Sequence, residues 1–115
     1  MLHLALKAEI ASRYASALQT EPVLSQDALT IFFLNGLVVE IRYLNINEYS
    51  IQWLWNEMLL RIDTAPIHPE LASFPQHFHG INNSINPDSL TSPGQDPWLN
   101  VHTVLDALLD NPLLT

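Results

Sequence analysis

Asn35-Gly36 stands between two apolar, β-rich runs, Ala28 to Leu34 and Leu37 to Leu44. Asn-Gly is the dipeptide best suited to the positive φ angles of a type I′ turn, so the runs read as the two strands of a hairpin. A two-residue turn would fix the register. It would set Leu34 against Leu37, Phe32 against Val39 and Thr30 against Ile41 on one side of the ribbon. Phe33 with Val38, Ile31 with Glu40 and Leu29 with Arg42 would take the other side. Two further runs, Tyr49 to Trp55 and Met58 to Asp63, are joined by Asn56-Glu57. Their register pairs Trp55 with Met58, Trp53 with Leu60 and Ile51 with Ile62 on an apolar face, and Leu54 with Leu59, Gln52 with Arg61 and Ser50 with Asp63 on the opposite one. Four consecutive strands with short connections predict an antiparallel meander whose wet face gathers Glu40, Arg42, Gln52, Arg61 and Asp63.

Helices bracket the meander. The segment up to about Leu18 has neither Gly nor Pro and places Leu6, Ile10, Tyr14 and Leu18 at steps of four, an amphipathic helix that Glu21-Pro22 would end. Near the other terminus, Asp96-Pro97 reads as an N-cap followed by proline at the first helical position. Trp98, Val101, Leu105 and Leu108 form the stripe of the helix it starts, which stops before Pro112. Between the meander and this helix lie Pro66, Pro69, Pro75, Pro87, Pro93 and Pro97, which predict a segment that is mostly loop. The expected fold is α+β: an N-terminal helix, a four-stranded antiparallel meander, a long His- and Pro-rich loop and a C-terminal helix. At 115 residues with 48% apolar side chains, it is expected to form a single domain over residues 1–115.

Charge narrows the function classes. Twelve acidic against four basic side chains give −8, and no Lys or Arg follows Arg61. General nucleic-acid binding and anionic membrane surfaces both need cations that this chain lacks. Without cysteine there is no disulfide framework, zinc ribbon or thiol nucleophile. Lys7, Glu9 and Arg13 interrupt the opening apolar residues, so no signal peptide or membrane span is read, and a cytoplasmic location is the default expectation.

Chemistry concentrates after the fourth strand. His68, His77 and His79 lie within twelve residues, and in an extended segment His77 and His79 project to one side while Phe78 turns to the other. Three readings suit such a group. The rings could tie down a Pro-rich loop through carbonyls, Asp63 and Glu70. They could ligate a divalent metal, although no four-ligand pattern accompanies them. Or they could exchange protons near neutral pH in a metal-independent phosphodiesterase, one imidazole taking the 2′-hydroxyl proton of RNA, another protonating the leaving oxygen, and Arg61 holding the phosphoryl charge.

The run RIDTAPIHPELASFPQHFHG, Arg61 to Gly80, preceded by a strand of the form YSIQWLW, resembles the TumE-like toxins of bacterial type II toxin–antitoxin systems. The resemblance is clearest over the last two strands and the His loop and extends loosely to both helices and the first hairpin. It implies a growth-arresting protein neutralised by a cognate antitoxin, with a helix-plus-meander layout like that of RelE-like and barnase-like ribonucleases. By position the family pattern falls on Arg61, Asp63, His68, His77 and His79. Pro66, Phe74 and Pro75 shape the loop. Two departures stand out: Ile67 where family members often carry a second His, and Phe78 where they often carry Lys.

The leading expectation is therefore an RNA-directed toxin with Arg61, Asp63, His68, His77 and His79 as catalytic candidates, no cofactor, an antitoxin partner and no membrane contact. Its activity is expected to be stronger near pH 6 than pH 8 and weaker at high salt. The alternative, from a different class, is a noncatalytic acidic module that binds a protein partner or itself through aromatic residues on the sheet.

Overall fold

Two central hairpins organise the molecule, here described over residues 2–115 from a computed structural model. Helix α1 (Leu2–Arg13) precedes strands β1 (Val23–Ser25), β2 (Ala28–Phe32), β3 (Val38–Asn45), β4 (Glu48–Trp55), β5 (Met58–Asp63) and β6 (His77–His79). One 3₁₀ turn (Ile81–Asn83), strand β7 (Ile85–Pro87) and helix α2 (Pro97–Asp110) complete it. Each strand pairs antiparallel with the next, giving a seven-stranded sheet in the order β1 to β7. The α+β class agrees with the expectation, but the meander has seven strands rather than four. The three additional strands have three residues each, too few for a period of two to be visible.

The second hairpin has the expected register, Trp55↔Met58, Trp53↔Leu60 and Ile51↔Ile62. Asn56 and Glu57 both adopt positive φ, 47° and 68°, as a type I′ turn requires. The first hairpin differs by one residue: Phe32 pairs with Val38, Ile31 with Val39, Thr30 with Glu40 and Leu29 with Ile41. Its loop is three residues long. Gly36 donates to the Phe33 carbonyl (3.1 Å) and takes φ +94°, while Phe33 donates to the Leu37 carbonyl, the pattern of a type I turn closed by a glycine bulge. Burial explains the choice. This register sends Leu29, Ile31, Phe33, Leu37, Val39 and Ile41 to one buried face and leaves Leu34 exposed, whereas the two-residue turn would have split them between faces.

Those residues, with Ile51, Trp53, Leu60 and Ile62, share one core with Leu6 and Ile10 of α1 and with Val101, Val104, Leu105 and Leu108 of α2. Each such side chain contributes about 1.5–3 kcal/mol of burial. Helix α1 ends at Arg13, five residues before the predicted end. Beyond it the backbone serves the sheet instead, with Leu34 donating to the Ala17 carbonyl and Gln19 to the Phe32 carbonyl. Helix α2 matches its signals: the Asp96 carboxylate accepts from the Trp98 amide, and Pro97 opens the helix. The opposite sheet face carries Glu40, Arg42, Gln52, Leu54, Leu59 and Arg61. No helix among the described residues is long and apolar enough to cross a membrane.

Candidate active site

Strands β5 and β6 carry the cluster, paired as Arg61↔His79, Ile62↔Phe78 and Asp63↔His77. The Phe78 ring stacks on Trp53 (centroids 5.8 Å, planes 10° apart) and joins the core side. Alternation along the strand then turns His77 and His79 to the open face beside Asp63 and Arg61. The loop between β5 and β6 folds back so that the His68 ring meets His77 edge-on (4.8 Å between centroids) and lies 6.3 Å from His79. All five candidate residues therefore converge.

Their exposures differ in a way that separates roles. His77 is fully buried and Asp63 nearly so, whereas His68 and His79 are half-buried and Arg61 is exposed. Arg61, His68 and His79 therefore offer the most surface to a molecule as large as RNA. Asp63 has four partners: Arg61 Nε donates to Oδ2 (2.7 Å), the Ala65 amide donates to Oδ1 (3.0 Å), and His77 and His79 Nε2 each approach at 3.2 Å.

The ring nitrogens can be assigned by proton counting. His77 Nδ1 faces the Pro75 carbonyl (3.2 Å), which can only accept, so that nitrogen carries hydrogen. By the same logic His68 Nδ1 donates to Glu70 (3.3 Å). His77 Nε2 then lies 2.9 Å from His79 Nε2 and 3.2 Å from Asp63 Oδ1. Three acceptor-capable atoms thus share at most the hydrogen that His79 brings. One extra proton on His77 Nε2 would supply the Asp63 Oδ1 and His79 Nε2 contacts but leave the His79 Nε2–Asp63 Oδ2 approach (3.2 Å) without a hydrogen. His79 itself titrates below the ordinary histidine value, first because burial disfavours the imidazolium and next because Arg61 adds like charge, with Asp63 opposing. This ring therefore gains its positive charge at lower pH than an ordinary imidazole, which works against the stronger activity near pH 6 expected from the sequence.

The same atoms could hold a metal: one donor each from Asp63, His77 and His79 lie within 4.8 Å of one another. A cleft of about 450 Å³ opens beside them on the sheet face, lined by Glu40, Arg42, Ser50, Gln52, Arg61 and Asp63 among others. A larger cavity of about 540 Å³, bounded by Phe78, Ile81, Asn86 and Leu113, includes none of the candidate residues.

Sequence reading missed the residues that brace the cluster. Gln76, next to His77, donates to the Thr91 carbonyl (2.9 Å), and Thr91 is bound in turn to Tyr49 and Asp88. Asp88 also accepts from the amides of Leu90 and Thr91, an Asx-type turn that Asp-Ser-Leu-Thr could have signalled. His3 and His102 stand outside the cluster. His3 Nε2 accepts the Tyr43 amide at the irregularity of β3 and is structural.

A family model described as Toxin TumE matches residues 2–109, nearly the whole chain. The chain belongs to the TumE toxin family. Neither the curated proteins nor the solved structures yield a match. For this TumE-family chain, the family makes a toxin with an antitoxin partner the setting in which the cluster is to be understood.

Proposed function

We propose that this TumE-family toxin acts on RNA by metal-independent phosphodiester cleavage at the Arg61, Asp63, His68, His77 and His79 cluster. The observation that carries the reading is the convergence of three imidazoles with one exposed guanidinium beside an open cleft. Neutral His79 takes the proton of a 2′-hydroxyl as that oxygen attacks phosphorus, and His68 gives a proton to the departing 5′-oxygen. Arg61 commits Nε to Asp63 and turns its remaining N–H groups toward the phosphoryl oxygens, where charge grows in the transition state. Fully buried His77 does not touch substrate. It is a positioning residue that, with Asp63, holds the His79 ring.

The reading is tested by induced expression in a bacterial host and by incubating purified protein, freed of any antitoxin, with single-stranded RNA. Growth arrest and cleavage are expected, with Arg61→Ala and His79→Ala each losing about 10²–10³-fold while their unfolding curves stay cooperative. A protein that neither slows growth nor cuts RNA would sink it.

A protein-binding role for the sheet draws on a separate observation. Register places Phe32, Val38, Leu54 and Leu59 side by side across β2 to β5 on the open face, with Leu54 and Leu59 exposed. Such a row suits a partner, and light scattering of the chain alone and with its antitoxin separates self-association from hetero-association.

A further inference from the structure

The proton shortage between Asp63, His77 and His79 has a solution other than a proton. Two donor atoms on one transition-metal ion, each about 2.0–2.1 Å from it, stand about 2.9 Å apart at a right angle and about 3.4 Å apart at the tetrahedral angle. The two Nε2 atoms, 2.9 Å apart, fall in that window, and the carboxylate turns a different oxygen to each ring, Oδ1 at 3.2 Å from His77 Nε2 and Oδ2 at 3.2 Å from His79 Nε2, so that it would meet a shared ion through both oxygens. His77 is also set as metal-bound histidines usually are. Its Nδ1–H donates to a backbone carbonyl, which fixes the tautomer and aims the Nε2 lone pair at the group. Asp63 is steadied by the Ala65 amide.

One neighbour opposes a cation. Arg61 Nε lies 2.7 Å from Asp63 Oδ2, and its Nη2 lies 3.4 Å from His79 Nε2. An ion entering the triad meets a positive charge already resting on its carboxylate. Arg61 is exposed and has room to leave, so the two cations are alternatives for one anion.

We propose that Asp63, His77 and His79 bind one divalent ion of the zinc class in competition with Arg61, so that the metal-loaded form has lost both the clamp and the His79 lone pair. The inference rests on the RNA-directed reading only for its consequence, inhibition; the site itself stands on geometry. Metal binding is thereby a brake on the cluster rather than its source of chemistry.

The test uses the full, untagged chain at fixed pH, titrated with zinc chloride by calorimetry and with cobalt(II) by visible absorption. One ion per chain is expected, at micromolar affinity or tighter, with the intense d–d bands of a low-coordinate cobalt site. His79→Ala should weaken binding at least tenfold. Arg61→Ala should tighten it severalfold, although the same substitution removes any RNA cleavage. Unchanged or weaker affinity in Arg61→Ala overturns the competition, and absence of one-to-one binding up to about 100 µM overturns the site. If RNA is cut, added zinc must slow the cutting; zinc that speeds it overturns the brake. If metal binds as described but RNA is never cut at any metal content, the site stands and the nuclease reading falls.

Discussion

Replacing Thr91 by valine would remove the hydroxyl at the centre of a buried chain of hydrogen bonds. Tyr49 Oη donates to Thr91 Oγ1 (2.6 Å), and Thr91 Oγ1 donates to Asp88 Oδ2 (2.5 Å), with Thr91 only 4% exposed. Valine keeps the shape, so the cost falls on the polar groups left behind. A phenol stranded without an acceptor costs about 1–3 kcal/mol, and a lost hydrogen bond to a carboxylate costs about 1.5–3 kcal/mol, which places Thr91→Val at roughly 3–5 kcal/mol. Tyr49→Phe removes a donor but leaves Thr91 bonded to Asp88, and should cost about 1 kcal/mol. The double variant has no stranded phenol. Adding Tyr49→Phe to Thr91→Val should therefore cost nothing or recover about 1 kcal/mol, a coupling of at least 1 kcal/mol in a urea-unfolding cycle. Simple additivity of the two changes within about 0.5 kcal/mol would refute the chain. Because Gln76 hangs from the Thr91 carbonyl and precedes His77, the imidazole resonances of His77 and His79 should shift in Thr91→Val and hold still in Tyr49→Phe.

Glu57 occupies a left-handed turn position (φ 68°), so Glu57→Gly should stabilise the fold by about 1 kcal/mol in the same urea assay; destabilisation would mean that its side chain has a role beyond the turn. Arg61→Lys should behave like Arg61→Ala in RNA cleavage, down at least tenfold, since an ammonium cannot donate to Asp63 and to a phosphate in fixed directions; activity close to that of the parent would show that charge alone suffices. Asp106 joins the helices through Arg13 and Tyr14. Burial pushes its carboxyl pKa up, but the hydrogen bonds from Arg13 and Tyr14 outweigh this and hold it below the ordinary value. A depressed folded pKa gives stability that is complete above the unfolded value near 3.8 and fades as pH falls through the folded one. Melting temperature measured from pH 5 to pH 2 should fall less steeply in Asp106→Asn than in the parent, and parallel curves would contradict this.

How much could be read in advance depended on the range of the interaction. The β4–β5 register was legible because Asn56-Glu57 and the alternation Ile51, Trp53, Trp55 agree, and both are local. The first hairpin was not, because Asn-Gly serves a three-residue bulged turn as well as a two-residue one. What chose between them was the burial of Phe33 and Leu37 against α1 and the rest of the core, which no local pattern encodes. His77 and His79 were placed on one side of an extended segment correctly. Their partner strand depends on Phe78 stacking on Trp53, a contact between residues twenty-five positions apart. The convergence of His68 was beyond reach for the same reason, since a loop held by Ser73, Gln76 and Thr91 delivers it.

The charge deficit and the site geometry jointly limit how this chain can hold RNA. Arg42 and Arg61 are the cations on the open sheet face, and each is already bonded to carboxylates: Arg42 to Asp27 and Glu40, Arg61 to Asp63. Lys7 and Arg13 belong to α1, whose buried residues join the core against the other face. Lysine and arginine side chains can therefore neutralise at most two phosphates on this face. Each contact to a single strand contributes about −0.7 to the slope of log affinity against log salt, so the slope should lie between about −0.7 and −1.4. Fluorescence anisotropy of a labelled single-stranded RNA across a salt series measures it. Arg42→Ala should take the slope toward −0.7 without abolishing cleavage, because Arg42 contributes to holding the strand but has no place at the reacting phosphate. A slope steeper than about −2 would mean that RNA is bound by a cationic surface this face does not possess, and the cluster on β5 and β6 would lose its claim to be where RNA is held.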